Sequence, residues 1–218
     1  IAKQAMRAGA TLVDRGESWD AASYEGRLHY RDKAGKLSLP LPRMAGPHQA
    51  DNAALAIAML RHQHAIAIPD SALAAAMEWT RWPARMQRLA LGSLTDLLPK
   101  GTEIWLDGGH NADGGRAIAA HFANEPRRIH LITGMLANKD PTAIIAPLKD
   151  RLASITVLPV PGHEHHGVKA FDQGAVASPD ITTALQSLSI DRTAQIILIA
   201  GTLYIAGEVL RLNGESPD

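Results

Sequence analysis

The sequence predicts an α/β fold: a mostly parallel sheet with helices on both faces, preceded by a shorter segment of strands and then helices. Three observations predict it. In the second half of the chain, four runs rich in Ile, Leu and Val alternate with four stretches of helical spacing, the pattern of a buried parallel sheet. The turn after each of those runs carries glycine. Pro83 separates this texture from a different one before it.

The elements follow in order. Residues 1–45 hold "ATLVDRG", "SYEGRLHYRD" and "GKLSLPLPRM", short alternating runs between Gly, Asp and Pro that predict strands and turns. "DNAALAIAMLRHQ", from Asp51, has Ala and Leu at helical spacing behind an Asp/Asn start, and predicts a helix. "IPDSALAAAMEWT" predicts a second helix, headed by Pro69 and Asp70 or Ser71. Pro83 breaks the helical pattern, because the residue before a proline avoids the helical region. The expected domains are therefore 1–82 and 83–218.

In the second domain, "EIWLD" (103–107), "RRIHLITG", "SITVLPV" and "AQIILIAG" predict strands. "DGGRAIAAHFAN", "DPTAIIAPLKDRL", "SPDITTALQSLS" and "TLYIAGEVLRL" predict the helices between and after them; Pro147 should kink or end the second, and Pro179 should open the third. Ligands of open parallel sheets bind at the carboxyl ends of the strands. The turns expected there are "DGGHNADGG", "TGMLANKD", "PVPGHEHHG" and "AGTLY". Glycines in the first would let a ligand approach the backbone and let the next helix start tightly.

Composition narrows the classes. Lys plus Arg equals Asp plus Glu at 22 each, which gives no electrostatic footprint for nucleic acid. With no cysteine in 218 residues, disulfides and thiolate metal sites are excluded, and a reducing compartment fits. No apolar run reaches the roughly 18–20 residues of a membrane span, and the start does not look like a signal peptide. The chain begins at Ile1 rather than Met, so a fragment or a processed product is expected.

Several side chains could carry chemistry. Asp107, at a strand end, could accept hydrogen bonds from a ribose or bind a cation; it could equally close an Asx turn or cap a helix. His110 could donate to a carboxylate ligand or be a solvated turn residue, and Asn111 is read the same way. Arg85 could pair with phosphates through its fork or be a surface arginine. His48, Gln49 and Asn52 head the first helix, and Asn52 could be a cap. Lys139 could meet an anion, and Asp140 suits a helix N-terminus. "GHEHHG" (162–167) is neither His-Glu-x-x-His nor on a helix, and reads as a solvated loop rather than a metal site. Neither G-x-x-x-x-G-K-[ST] nor G-x-G-x-x-G occurs.

Five motifs stand in order: His-Gln-x-x-Asn-Ala-Ala (48–54), Trp-Pro-x-Arg-x-Gln (82–87), Leu-Asp-Gly-x-His-Asn (106–111), Gly-Met-Leu-x-x-Lys-Asp (134–140) and Gly-Thr-Leu-Tyr-x-x-Gly-Glu-Val (201–209). Together they resemble the folylpolyglutamate synthase / dihydrofolate synthase family of the Mur ligase superfamily, over about residues 40–210. Gly109 and Ala112 stand where that family often has Ala and Pro, and Ala84 and Met86 where Gly and Phe are common. The resemblance implies that residues 1–82 are the tail of a phosphate-loop central (ATPase) domain and 83–218 a Rossmann-like, glutamate-binding C-terminal domain. It implies ATP-dependent amide formation through an acyl phosphate. The substrates implied are ATP, L-glutamate and dihydropteroate or folyl-glutamates. Magnesium would be held by residues outside this chain, so no metal ligand is expected on it. Asn52 (adenine side), Arg85 (phosphates) and Asp107 (ribose) are implied as ATP contacts, and His110 and Asn111 as glutamate contacts, with His48 and Lys139 as further candidates. A cytoplasmic monomer is expected, without nucleic-acid or membrane partners, and inactive as a ligase by itself. The rival readings are a peptidoglycan-precursor amino acid ligase of the same superfamily and a non-catalytic nucleotide-binding module.

Overall fold

A computed structural model describes residues 1–46, 48–190 and 195–215. The chain divides into two compact units, Ile1–Arg81 and Trp82–Asp218.

The first unit contains the helix α1 (Ala2–Arg7), the strands β1 (Trp19–Tyr24), β2 (Arg27–Asp32) and β3 (Gly35–Pro40), and the helices α2 (His48–Arg61) and α3 (Asp70–Trp79). The strands form an antiparallel meander. Alternation sends Trp19, Ala21, Leu28, Tyr30, Leu37 and Leu39 to one face. There they bury against Ala54, Ile57 and Ala58 of α2 and Leu73 and Met77 of α3. The strand expected at "ATLVDRG" does not form. Apart from a single bridge between Arg15 and Trp19, that run has no partner strand, and Leu12 and Val13 stay exposed. β-propensity reflects packing on a paired surface, and this run has none. The α2 helix starts three residues before the expected Asp51, so Asn52 lies inside it and is not its cap.

The second unit holds β4 (Gln87–Arg88), β5 (Ile104–Asp107), α4 (Ala112–His121), β6 (Arg128–Thr133), α5 (Thr142–Leu148), β7 (Leu152–Val157), β8 (Val176–Ala177), α6 (Ile181–Ser187), β9 (Gln195–Ala200) and α7 (Leu203–Asn213). Its sheet runs β4-β5-β9-β6-β7-β8. Every pairing is parallel except β4 on β5, so the expected α/β class with a mostly parallel sheet holds. Ala194, which opens the fourth expected strand, lies outside the described residues. Two-residue strands β4 and β8 extend the sheet at its edges and were not expected from the sequence.

The steps β5 to β6 and β6 to β7 move one way across the sheet, and the step to β9 moves back. Right-handed crossovers therefore put α4 and α5 on one face and α6 on the other. Ile181 and Leu185 of α6 and Val209 and Leu210 of α7 join Ile104, Leu106, Ile132, Ile197 and Ile199 in one buried cluster. Four β9 residues, Ile196–Ile199, are fully buried, as a central strand covered on both faces must be.

The helix caps are local. Asn111, Asp180 and Thr202 cap α4, α6 and α7 through side-chain oxygens that accept from Gly114 N, Thr183 N and Tyr204 N; α6 is entered through Pro179, as expected, with Asp180 its cap. Pro147 sits inside α5, which ends one residue later. It has no N–H for the carbonyl of Ala143, four residues back. That carbonyl lies against Gly115 of α4, where an added Cβ would stand 1.9 Å from it.

Candidate functional site

The carboxyl ends of β5, β9, β6 and β7 share one edge of the sheet, and the glycine-bearing turns lie there. The turn after β5 is held from beneath. Asp107 is 7% exposed; its Oδ1 accepts from Gly109 N at 2.6 Å and its Oδ2 from Met86 N at 2.8 Å. Asp107 thus closes an Asx-type turn and ties residues 84–86 to the strand end. Gly108 N adds a bond to Ala84 O at 2.9 Å. Nearby, burial pushes the His121 imidazole below its usual value, against the opposing pull of the Asp107 carboxylate.

Arg85 rides on that tied segment. Ala84 and Met86 on either side of it have positive φ, 56° and 43°, a region non-glycine residues rarely occupy. The half-buried Arg85 guanidinium has no carboxylate partner among the described residues; its one hydrogen bond is a long one, 3.5 Å, to Ala84 O. It lies over Gly108, where a Cβ would stand 3.1 Å from Nη1 and 2.2 Å from Leu203 Cδ2.

This corrects one expectation about the glycines. The faces of Gly108 and Gly109 that lack a Cβ meet Leu203, Arg85, Asp107 and Ile118, which are protein atoms and not open space for a ligand. The other half of the expectation holds, because Gly114 approaches Gly109 closely where α4 begins.

His110 Nδ1 lies 3.0 Å from Gly108 O. A carbonyl only accepts, so Nδ1 carries the proton and the neutral ring offers Nε2 as an acceptor. Asn111 spends its side-chain oxygen on the α4 cap, at 2.8 Å from Gly114 N, and keeps its amide donors.

The turns after β6 and β7 are stitched to each other. His166 Nε2 lies 2.7 Å from Lys139 O, His166 N donates to Met135 O and Ala137 N to Glu164 O. Lys139 is half-buried. The His163 ring lies tilted by 33° against Tyr204, with centroids 3.9 Å apart. The histidine loop is tied to this edge through the half-buried His166, while residues 162–165 and Gly167 stay exposed, so it is the solvated loop expected. Asp140 accepts from Thr142 N and Thr142 Oγ1 just ahead of α5, which holds its carboxyl below the usual range. Among the described residues, no group of three or more His, Asp or Glu side chains could hold a metal ion.

In the first unit, His48, Gln49 and Asn52 form a chain at the start of α2. His48 Nε2 lies 3.0 Å from Gln49 Nε2, and Asn52 Nδ2 donates to Gln49 Oε1 at 3.2 Å. Asn52 is exposed. The structure thus gathers Asp107, His110 and Asn111 on one turn with Arg85 on the segment tied to it, places Lys139 in the turn between β6 and α5, and sets His48 and Asn52 in the other unit. Sequence reasoning missed Glu215, which accepts from Gln87 Nε2 at 2.9 Å; no motif covers it.

A mostly parallel sheet with helices on both faces defines a Rossmann-like α/β unit. The chain is similar to folylpolyglutamate synthases, the family that its five motifs resemble. It is 28% identical over 203 residues to the folylpolyglutamate synthase of Lacticaseibacillus casei, covering 87% of this chain and 44% of that protein. It is 25% identical over 205 residues to a probable bifunctional folylpolyglutamate synthase/dihydropteroate synthase of Halobacterium salinarum, covering 86% of this chain and 23% of that one. The chain therefore spans less than half the length of these curated relatives. Among solved structures, the fold matches the E. coli FolC complex with ADP at TM-score 0.75 and 21% identity, over 97% of this chain and 50% of that one. It also matches the Mycobacterium tuberculosis folylpolyglutamate synthase at TM-score 0.75 and 22% identity, over 100% of this chain and 52% of that one. No protein-family model matches the chain. No helix among the described residues is long and apolar enough to cross a membrane.

Proposed function

We propose that this chain is the C-terminal half of an ATP-dependent ligase that joins L-glutamate to dihydropteroate or to a folyl-glutamate. The observation that carries the reading is Arg85: a half-buried guanidinium with no carboxylate partner among the described residues, presented on a turn held by Asp107. A cation so placed suits an anion such as a phosphate group. The relatives support the choice of anion. One structural match, at TM-score 0.75, holds Mn, AMPPNP and L-glutamate, and another holds DHPP and ADP.

In this reading residues 1–82 are the tail of the ATPase domain and 83–218 the glutamate ligase domain; the division after Arg81 supports it. A carboxylate oxygen of the pterin substrate attacks the γ-phosphorus, and ADP leaves. The glutamate nitrogen then attacks the acyl carbon, phosphate leaves, and the nitrogen loses a proton. Arg85 neutralises charge on the phosphates. Asn52 offers its exposed amide to the adenine. Asp107 holds the Arg85 turn on the ribose side of the nucleotide. His110, protonated on Nδ1, accepts from the amino group of glutamate through Nε2, while the Asn111 amide donates to a glutamate carboxylate. His48 steadies Asn52 through Gln49, and Lys139 adds positive charge at the same sheet edge as Arg85. Magnesium, when bound, would screen the phosphates, held by residues outside this chain. The enzyme works as a cytoplasmic monomer.

The test is an ATPase and amide-formation assay on the longer protein this reading requires, with dihydropteroate or a folyl-glutamate. ADP release should depend on both the pterin substrate and glutamate, and Arg85→Ala should raise KM for ATP by roughly ten- to a hundredfold. The 218 residues alone should bind ATP weakly and turn over nothing. Tight ATP binding by them alone would favour a nucleotide-binding module, and dependence on a peptidoglycan precursor would favour that branch of the superfamily.

A further inference from the structure

Two carboxylates brace the turn that carries Arg85. Asp107 is one, from the strand end. The other is Glu215, just past α7 and far away in sequence. Ala84 N donates to Gln87 Oε1 at 2.9 Å, and Gln87 Nε2 donates to Glu215 Oε2 at 2.9 Å. Glu215 Oε1 in turn accepts from Ala90 N at 3.0 Å and from Asn213 Nδ2 at 2.7 Å. Asn213 is 3% exposed; it fastens the same corner by donating to Ala90 O and accepting from Leu94 N. The brace has something to hold. Positive φ at both Ala84 and Met86 costs free energy and persists only where the surroundings over-determine it.

We propose that Gln87 and Glu215 are positioning residues: acting through the Ala84 amide, they hold the strained turn that presents Arg85, so that the end of α7 sets where the guanidinium stands. The catalytic consequence, though not the brace itself, rests on Arg85 being a phosphate contact.

The pair is polarised, and this makes it testable. Gln87 must accept from Ala84 with its oxygen and donate to Glu215 with its nitrogen. Glu215→Gln sets a donor against a donor or turns donors against Ala90 N and Asn213 Nδ2. Gln87→Glu sets a carboxylate against a carboxylate. The double swap Gln87→Glu with Glu215→Gln restores every hydrogen bond with the Gln87–Glu215 link reversed, and leaves the net charge unchanged.

Amide hydrogen exchange on this chain is the direct measurement. Each single variant should speed exchange at Ala84 and Met86 roughly tenfold, while amides in the middle of β6 keep their rates. The swap should bring both back to within about twofold. In the longer ligase, KM for ATP should follow the same cycle. Unchanged exchange at Ala84 and Met86 in both single variants, or a swap no better than the worse single variant, overturns the proposal. If exchange follows the cycle while KM for ATP stays fixed, the brace stands and the assignment of Arg85 to phosphate falls.

Discussion

Replacing Gly115 by alanine puts a Cβ 1.9 Å from Ala143 O and 3.0 Å from Ala143 C, where ordinary contact begins near 3.4 Å. Both obstacles are backbone, so no side-chain rotation relieves them. The α4 and α5 helices would have to part by more than an ångström at their crossing. Overpacking of this kind costs about 1–3 kcal/mol, and rigid backbone obstacles put it at the upper end. Replacing a helical glycine by alanine returns about 1 kcal/mol. The net expectation is a loss of about 2 kcal/mol, or roughly 4–8 °C in Tm for a chain of this size. Gly207, in the middle of α7, supplies the control. A Cβ there meets nothing within 4 Å, so Gly207→Ala should gain about 0.5–1 kcal/mol. Urea and thermal unfolding followed by circular dichroism would read both. A Gly115→Ala protein as stable as the parent would refute the close crossing, and loss at Gly207 would refute the use of free space to set the sign. The two variants should also separate in function, because α4 carries the 107–111 turn at its head.

Three further expectations follow from the same geometry. Arg127 grips Glu125 with two bonds, of 2.8 and 2.7 Å, and pulls its carboxyl down to about 2; a lowered folded value means this stability is full above the ordinary carboxylate range and drains away as pH falls toward 2. The Tm advantage of the parent over Glu125→Gln should therefore be flat above about pH 5 and shrink below pH 4; an advantage that grows on acidification would contradict the assignment. Asn111→Ala removes the α4 cap and should cost about 1 kcal/mol, and Asn111→Asp should recover most of it; no loss in chemical unfolding would show that Asn111 is not the cap. In the first unit, Asp32 and Arg61 are joined by bonds of 2.7 and 3.0 Å, with side chains only 2% and 13% exposed, so Asp32→Asn should destabilise that unit by about 3 kcal/mol, and a change under 1 kcal/mol by urea titration would show that the pair is worth no more than a surface one.

The sequence made the sheet of the second unit legible because buried parallel strands are continuous apolar runs. Ile129–Thr133 and Ile196–Ala200 read as strands without any partner in view. Gln87–Arg88 and Val176–Ala177 do not, because two residues have no period; they are strands only by virtue of Leu106 and Thr156 opposite them. "ATLVDRG" fails in the opposite sense, with strand-like residues but no partner strand. At the candidate site, Arg85, Asp107, His110 and Asn111 were legible as residues because they cluster in sequence. What each atom faces was not. Asp107 turns inward to Met86 N, and the glycine faces pack on protein, because hydrogen-bond direction depends on turns that local pattern leaves open. Glu215 was beyond reach altogether, since nothing in a local window ties it to Gln87.

The strand order bears on how the chain is made. Within the described sheet β5 pairs with β4 and β9, and β6 with β7 and β9. The strand between β5 and β6, Gln195–Ala200, is the last in chain order among the described strands. Until it emerges from the ribosome, β5 and β6 each present an unpaired apolar edge, the kind of surface that recruits other chains. The keystone arrives last, and the apolar arch on either side of it must wait, collapsed but unjoined, for some sixty residues of synthesis after β6. Chains cut short before Gln195 should therefore aggregate rather than form a smaller stable sheet.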